Sequence, residues 1–272
     1  MELNAAVRRR LGRSRGRFAL NVYVGVVFLF LMLPLFIVFP ISFSSASYLQ
    51  FPPPGLSLRW YEAYVSDPVW LAATLRSLKI AACTTMLATI LGTLLAFSLV
   101  RGRYPGREWV SQVGAMPLIV PTIIYSVAVY GLFAQLRLIG DWRGIVLGHT
   151  VHAIPYVVVI MTAALRTFDI GLENAAMGLG ASRLRAIWRV TLPQMRPALV
   201  SATFLAFISS FDELVIAMFL GGANMTLPKK MFDNILNAID PTIAAVSVVQ
   251  IVIVSIALAV SARFGTGARP AM

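Results

Sequence analysis

Asp212 and Glu213 stand side by side in the apolar stretch FISSFDELVIAMFL. Ionisable residues inside such a stretch are costly unless they face a cavity or a partner, and they mark a transport pathway by default. Carboxylates placed there suit a passing cation, and Ser209 shares the helical face of Asp212. Two histidines, His149 and His152, lie three residues apart in another apolar run. A metal centre needs more ligands than these two and Cys83 supply, so the pair reads as polar side chains facing the interior of a helix bundle. No nucleophile–base constellation and no P-loop is present, which argues against catalysis and against ATP hydrolysis by this chain. The remaining polar feature is ENAAMGLGASRLRAIWRVTLPQMRPAL, residues 173–199, with four arginines and two prolines four residues apart.

The elements that must position these residues are membrane helices. Hydrophobic residues make up 58% of the chain and charged residues 12%, about half the charged fraction of a soluble domain. The net charge of +12 is carried in short basic blocks between apolar runs, which fits topology signals better than a nucleic-acid footprint. Apolar runs near 19–43, 70–100, 109–136, 145–165, 198–220 and 241–263 predict six spans. The first imitates a secretory signal, but it is longer than the roughly 7–15 residues of a signal core, so an uncleaved helix is expected. Pro117 and Pro121 should kink the third span, and Pro155 the fourth. Arginines crowd the N-terminal tail, the 101–108 loop, the 166–196 loop and the C-terminal tail, while alternate loops hold far fewer basic residues. The positive-inside rule therefore predicts that both termini and residues 166–196 are cytoplasmic.

The 173–199 interval reads as two short surface helices. Leu172, Ala176 and Leu179 form a narrow apolar stripe, and Gly178 and Gly180 end the first helix. Ser182 can cap a second helix carrying Arg183, Arg185 and Arg189, and Pro193 and Pro197 should stop it and restart the chain as the fifth span. This describes a compact docking knob with a basic flank, or equally an amphipathic loop resting on lipid headgroups.

The residue pattern resembles the EAA loop of ABC-importer permeases: Glu-Ala-Ala, three residues, Gly, nine residues, a branched apolar residue, one residue, Leu-Pro. It stands here as Asn174, Ala175, Ala176, Gly180, Val190, Leu192 and Pro193, with every spacing kept. Asn174 replaces the motif's glutamate, and Glu173 sits one position earlier. The resemblance implies a type I ABC-importer permease of the MetI-like fold: an all-α membrane protein of six transmembrane helices. It would comprise a basic tail (1–18), a permease domain (19–265) with its coupling loop at about 169–193, and a short tail (266–272). Glu173, Asn174, Ala175, Ala176, Gly180, Ala181, Leu184 and Pro193 would then meet a cytoplasmic ATPase.

A second stretch, FISSFDELVIAMFLGGANMTLPKKMFDNILNAIDPTIAAVS, is similar to permeases of the spermidine/putrescine importer group. That group also includes permeases for opines and amino-acid-like solutes. With about 1.5 Å per residue from Pro197, Asp212 falls roughly 22 Å along a continuous fifth helix, in the outer half of the bilayer. There Asp212 and Glu213 would contact a cationic substrate, pair with Arg76 or Lys79 of the second span, or hold two permease subunits together. The resemblance further implies a second permease subunit, an ATPase dimer that binds ATP and Mg, an extracytoplasmic binding protein, and a bacterial inner-membrane location. No cofactor, metal or nucleic acid is expected on this chain itself. A self-contained secondary transporter is the rival of a different class; it predicts an internal repeat, and none is visible.

Overall fold

The computed structural model describes residues 2–237 and 239–265, with side chains described from Arg17 onward except at Ala19. The predicted 266–272 tail lies outside the described residues. Regular structure is helical throughout, apart from one isolated antiparallel bridge between Ser44 and Leu56. In chain order the helices are α1 (Glu2–Ser42), α2 (Arg59–Ser66), α3 (Pro68–Arg101), α4 (Arg107–Ile119), α5 (Thr122–Gln135), α6 (Trp142–Thr167) and α7 (Ile170–Gly178). They continue as α8 (Arg183–Ala186), a π-helical turn (Ile187–Thr191), α9 (Leu192–Gln194), α10 (Arg196–Phe211), α11 (Val215–Leu220), α12 (Leu227–Asn237) and α13 (Thr242–Gly265).

Hydropathy predicts six spans, the third of them kinked; the structure shows that kink as a sharp bend and adds a break in the fifth run. Among the described residues, four helices are long and apolar enough to cross a membrane: Leu20–Ser42 within α1, then α3, α6 and α13. The third run is the pair α4 and α5, bent by 110°, which makes five if counted as one span. The bend falls at Val120–Pro121, because a residue before proline is driven out of the helical region (Val120 ψ 127°). Pro117 and Pro155 lie inside α4 and α6 without ending them. The fifth run is also broken: α10 ends at Phe211 and α11 starts at Val215.

Two compact units divide the chain, Met1–Tyr64 with Ala238–Val249, and Val65–Asn237 with Gln250–Met272. In the first, the Phe43 ring packs on Phe39 and Tyr61, and the Ser42 hydroxyl is 2.8 Å from that of Tyr61. The second holds the polar residues of interest, and its core is a seam of small residues. Ala88, Gly92 and Ala96 recur every fourth residue on α3, as do Ala202, Ala206 and Ser210 on α10, and all are buried. The facing row of α6 is larger: Ile145, His149, Ala153, Val157, Met161 and Leu165. Lipid tails are as apolar as leucine, so close van der Waals packing between such rows, rather than escape from water, holds membrane helices together.

At Gly92 the backbones of α3 and α6 approach closely. A Cβ there would sit 2.7 Å from the Val157 Cβ and 3.2 Å from the Ile154 carbonyl oxygen. Gly92→Val is therefore expected to destabilise the protein by about 1–3 kcal/mol through overpacking. Its melting temperature in detergent should fall clearly below wild type, whereas an unchanged value would mean that the seam is loose.

Candidate functional site

The polar interval folds into a knob with one buried charge at its base. Asp169 caps α7 by accepting from the Gly171 amide at 2.8 Å. One turn on, Glu173 points inward and is only 2% exposed. Its Oε2 accepts from the guanidinium of Arg101, at the end of α3, and from the Thr191 hydroxyl at 2.8 Å. Arg101 also lies over the rings of Phe97 and Phe168, at 5.3 and 5.6 Å. Burial alone would raise the Glu173 pKa. Hydrogen bonds from Arg101 and Thr191, with the charges of Arg101 and Arg183, outweigh that and hold it below the usual carboxylate range.

The rest of the knob faces outward. Asn174 and Ala175 are exposed, Ala176 and Ala181 half-buried, and Gly180 and Pro193 exposed. Gly180 adopts φ +91°, and a Cβ there would meet nothing within 4 Å, so conformation rather than space requires glycine. Amides of Leu179, Gly180 and Ala181 close the end of α7 onto the carbonyls of Ala175, Met177 and Ala176. Ser182 caps α8 through the Arg185 amide at 3.4 Å, as its position predicts. The apolar stripe is not covered: Leu179 is 91% exposed, and Leu184 and Trp188 stand out beside it. Pro193 does not stop the second helix. Lacking an amide hydrogen, it is accommodated by the widened π turn before it, where the Leu192 amide reaches back to the Ile187 carbonyl.

The second polar locus is the break in the fifth run, and here the continuous-helix expectation fails. Asp212 caps the end of α10, its amide bonded to the Ile208 carbonyl at 3.1 Å. Glu213 then turns inward and caps α11, accepting from the amides of Val215 (3.1 Å), Ile216 (2.7 Å) and Ala217 (3.4 Å). A carboxylate suits a helix N-terminus, where unpaired amides and the helix dipole both favour negative charge. His149 packs against it, with Nε2 3.7 Å from Glu213 Oε2 and Nδ1 2.9 Å from the Ser210 hydroxyl.

The two acids therefore diverge. Glu213 is buried, whereas Asp212 is exposed and receives one hydrogen bond, from Gln250 Nε2 of α13 at 3.1 Å. Ser209 is half-buried on α10. Neither expected basic partner meets the acids. Arg76 donates to the Met225 carbonyl at 3.0 Å, and Lys79 lies 3.7 Å from the centre of the Trp142 ring.

Sequence reasoning missed Arg101, Thr191, Gln250 and Trp188. Arg101 counted only as a topology charge, and no local spacing links it to a glutamate 72 residues away.

Residues 7–268 match the family described as the binding-protein-dependent transport system inner membrane component. The chain belongs to this family. It is 36% identical over 228 residues to the putrescine transport system permease protein PotI of Escherichia coli K12, covering 81% of each chain. It is 32% identical to the spermidine/putrescine transport system permease protein PotC of Haemophilus influenzae, over 92% of this chain and 96% of that one. Among solved structures, a bacterial ABC transporter that imports the acidic polysaccharide alginate aligns with TM-score 0.72 at 21% identity, over 92% of this chain and 96% of that one. That likeness shows a shared all-helical permease fold. The chain is thus an inner-membrane transport component, and the knob and the helix break are features of a permease.

Breaking the Arg101–Glu173 pair from one side should cost more than removing both charges, because an orphaned buried carboxylate is the expensive state. Arg101→Gln is expected to destabilise the permease by about 3–5 kcal/mol, and Arg101→Gln/Glu173→Gln by clearly less. Because the folded pKa of Glu173 is depressed, the pair's contribution is complete at neutral pH. It is lost only as pH falls below the ordinary carboxylate value of about 4.3 and through the folded one. Thermal melts of the three proteins in detergent across that range check both statements; equal losses in single and double variants would show the pair to be solvated.

Proposed function

We propose that this chain is one of two permease subunits of an ABC importer for small cationic solutes of the polyamine class. Each subunit would provide half of the translocation pathway. Membership of the binding-protein-dependent family supports the importer assignment, and similarity to putrescine and spermidine/putrescine permeases supports the substrate class. The observation that carries the reading is Asp212: an exposed carboxylate at the break of an otherwise apolar run, oriented by Gln250 and free of any basic partner among the described residues. Such a group can replace part of the hydration shell of a passing ammonium. Glu213 acts one step removed, holding the break open by capping α11, and Ser209 lies nearby as a further polar group.

In this reading the six apolar runs are six spans, the fifth interrupted between α10 and α11, with both termini and the knob on the cytoplasmic side. The knob seats in a cytoplasmic ATPase dimer, which carries ATP and Mg, while a soluble binding protein delivers substrate from outside. Asn174, Ala175, Ala176, Gly180, Ala181, Leu184 and Pro193 form the seating surface. Glu173 works inside the knob rather than at that surface, tying it to the end of α3 so that motion of the ATPase reaches the bundle.

Asp212→Asn keeps the size of the side chain and removes its charge. Uptake of putrescine or spermidine by the reconstituted transporter is expected to fall about tenfold in kcat/KM, the size of one charge-assisted contact, with assembly intact. Unchanged uptake kinetics would remove Asp212 from the pathway.

A further inference from the structure

Four arginine side chains converge beside the knob, where Glu173 and Glu108 are the neighbouring acids. A cavity of about 850 Å³ is lined by Arg101, Arg103, Arg107 and Arg183, drawn from the end of α3, the turn after it, the start of α4 and the start of α8. Arg101 is neutralised by Glu173, and Arg107 makes only a long bond to the Gly102 carbonyl, at 3.4 Å. The side chains of Arg103 and Arg183 are exposed and form no hydrogen bond or close ion pair among the described residues, although the Arg183 charge is felt by Glu173. No carboxylate among the described residues lines the cavity. Glu108 lies beside it in a smaller adjoining hollow of about 350 Å³, with Arg103, Arg107 and Trp109.

Besides the arginines, the cavity is lined by the apolar side chains of Phe97, Leu165, Phe168 and Ile187. Trp109, 72% exposed at the start of α4, is the kind of side chain that settles at headgroup depth. We propose that this cavity binds the phosphodiester headgroup of an anionic membrane phospholipid, with the upper part of its acyl chains against the apolar walls. Basic pockets between membrane helices take such headgroups through charge complementarity. Free phosphate shares that chemistry but would leave the apolar walls uncovered. A lipid held by Arg103 and Arg183 bridges the end of α3 to the second helix of the knob. It braces from the membrane side the same joint that Glu173 braces from within.

The test uses the permease purified with its ATPase and second permease, in bilayer nanodiscs of phosphatidylethanolamine containing a minor fraction of phosphatidylglycerol. Bound lipid is quantified by native mass spectrometry. Wild type should retain phosphatidylglycerol selectively, and Arg103→Gln/Arg183→Gln should bind it roughly 30-fold more weakly, as expected for two interfacial guanidiniums. If the double variant does not assemble, Arg103→Gln alone should show roughly a fivefold loss. Equal retention in wild type and variant would overturn the site. So would complete displacement of the lipid by inorganic phosphate, which identifies a free-anion site. Unaltered lipid with loss of the ATPase from the variant complex would also overturn it, making the arginines a protein-docking surface. None of these outcomes bears on the polyamine reading, which is read by uptake.

Discussion

An amide or carbonyl group that loses its helical partner inside a bilayer has no water to turn to, and leaving it unpaired costs several kcal/mol. The break in the fifth run and the α4–α5 bend both obey that constraint. Where the fifth run breaks, the Glu213 side chain takes up three amides at the start of α11. At the α4–α5 bend the Val120 amide still reaches the Met116 carbonyl, and Pro121 has no amide hydrogen to lose. Beyond α11, Gly140 donates its amide to the Leu220 carbonyl while its own carbonyl accepts from Asn224. The far end of α11 is thereby tied to the turn between α5 and α6. A helix interruption satisfied this thoroughly is a built feature, and it sets Asp212 on an exposed edge.

The same logic separates acids that hold the structure from acids that present charge. Glu173 and Glu213 are both buried, and both are satisfied by fixed donors from the chain itself. Asp212 has a single neutral partner and remains exposed. The one-residue offset between Glu173 and the motif position turns out to matter physically. Adjacent helical residues diverge by about 100°, so Glu173 faces inward to Arg101 while Asn174 faces out. The outer surface consequently presents an amide, small residues and exposed leucines and Trp188, rather than a carboxylate.

Much of this was legible in the sequence, because the signals are local. Apolar run length located four of the membrane helices, Asp169 and Ser182 stand where caps belong, and Gly180 takes the left-handed conformation that ends α7. The bend before Pro121 follows from proline sterics. The break at Asp212–Leu214 was not legible: an acid that caps a helix and an acid that lines a pathway look alike in one dimension. The π turn was equally hidden, since Pro193 reads as a stop signal and only the packed chain shows how the strain is absorbed upstream. Arg101 with Glu173, and Gln250 with Asp212, join residues 72 and 38 positions apart, which no spacing rule connects.

In the proposed importer the knob is a lever with a fixed angle, braced from within and driven by a partner ATPase. Gly180 isolates that angle, since a side chain there has room but the wrong backbone preference. The most direct measurement is the ratio of ATP hydrolysed to polyamine taken up by the reconstituted transporter carrying Gly180→Val, with loaded binding protein supplied outside. The account predicts an assembled complex that hydrolyses ATP with little uptake. A variant that assembles and transports with the wild-type ratio would contradict it.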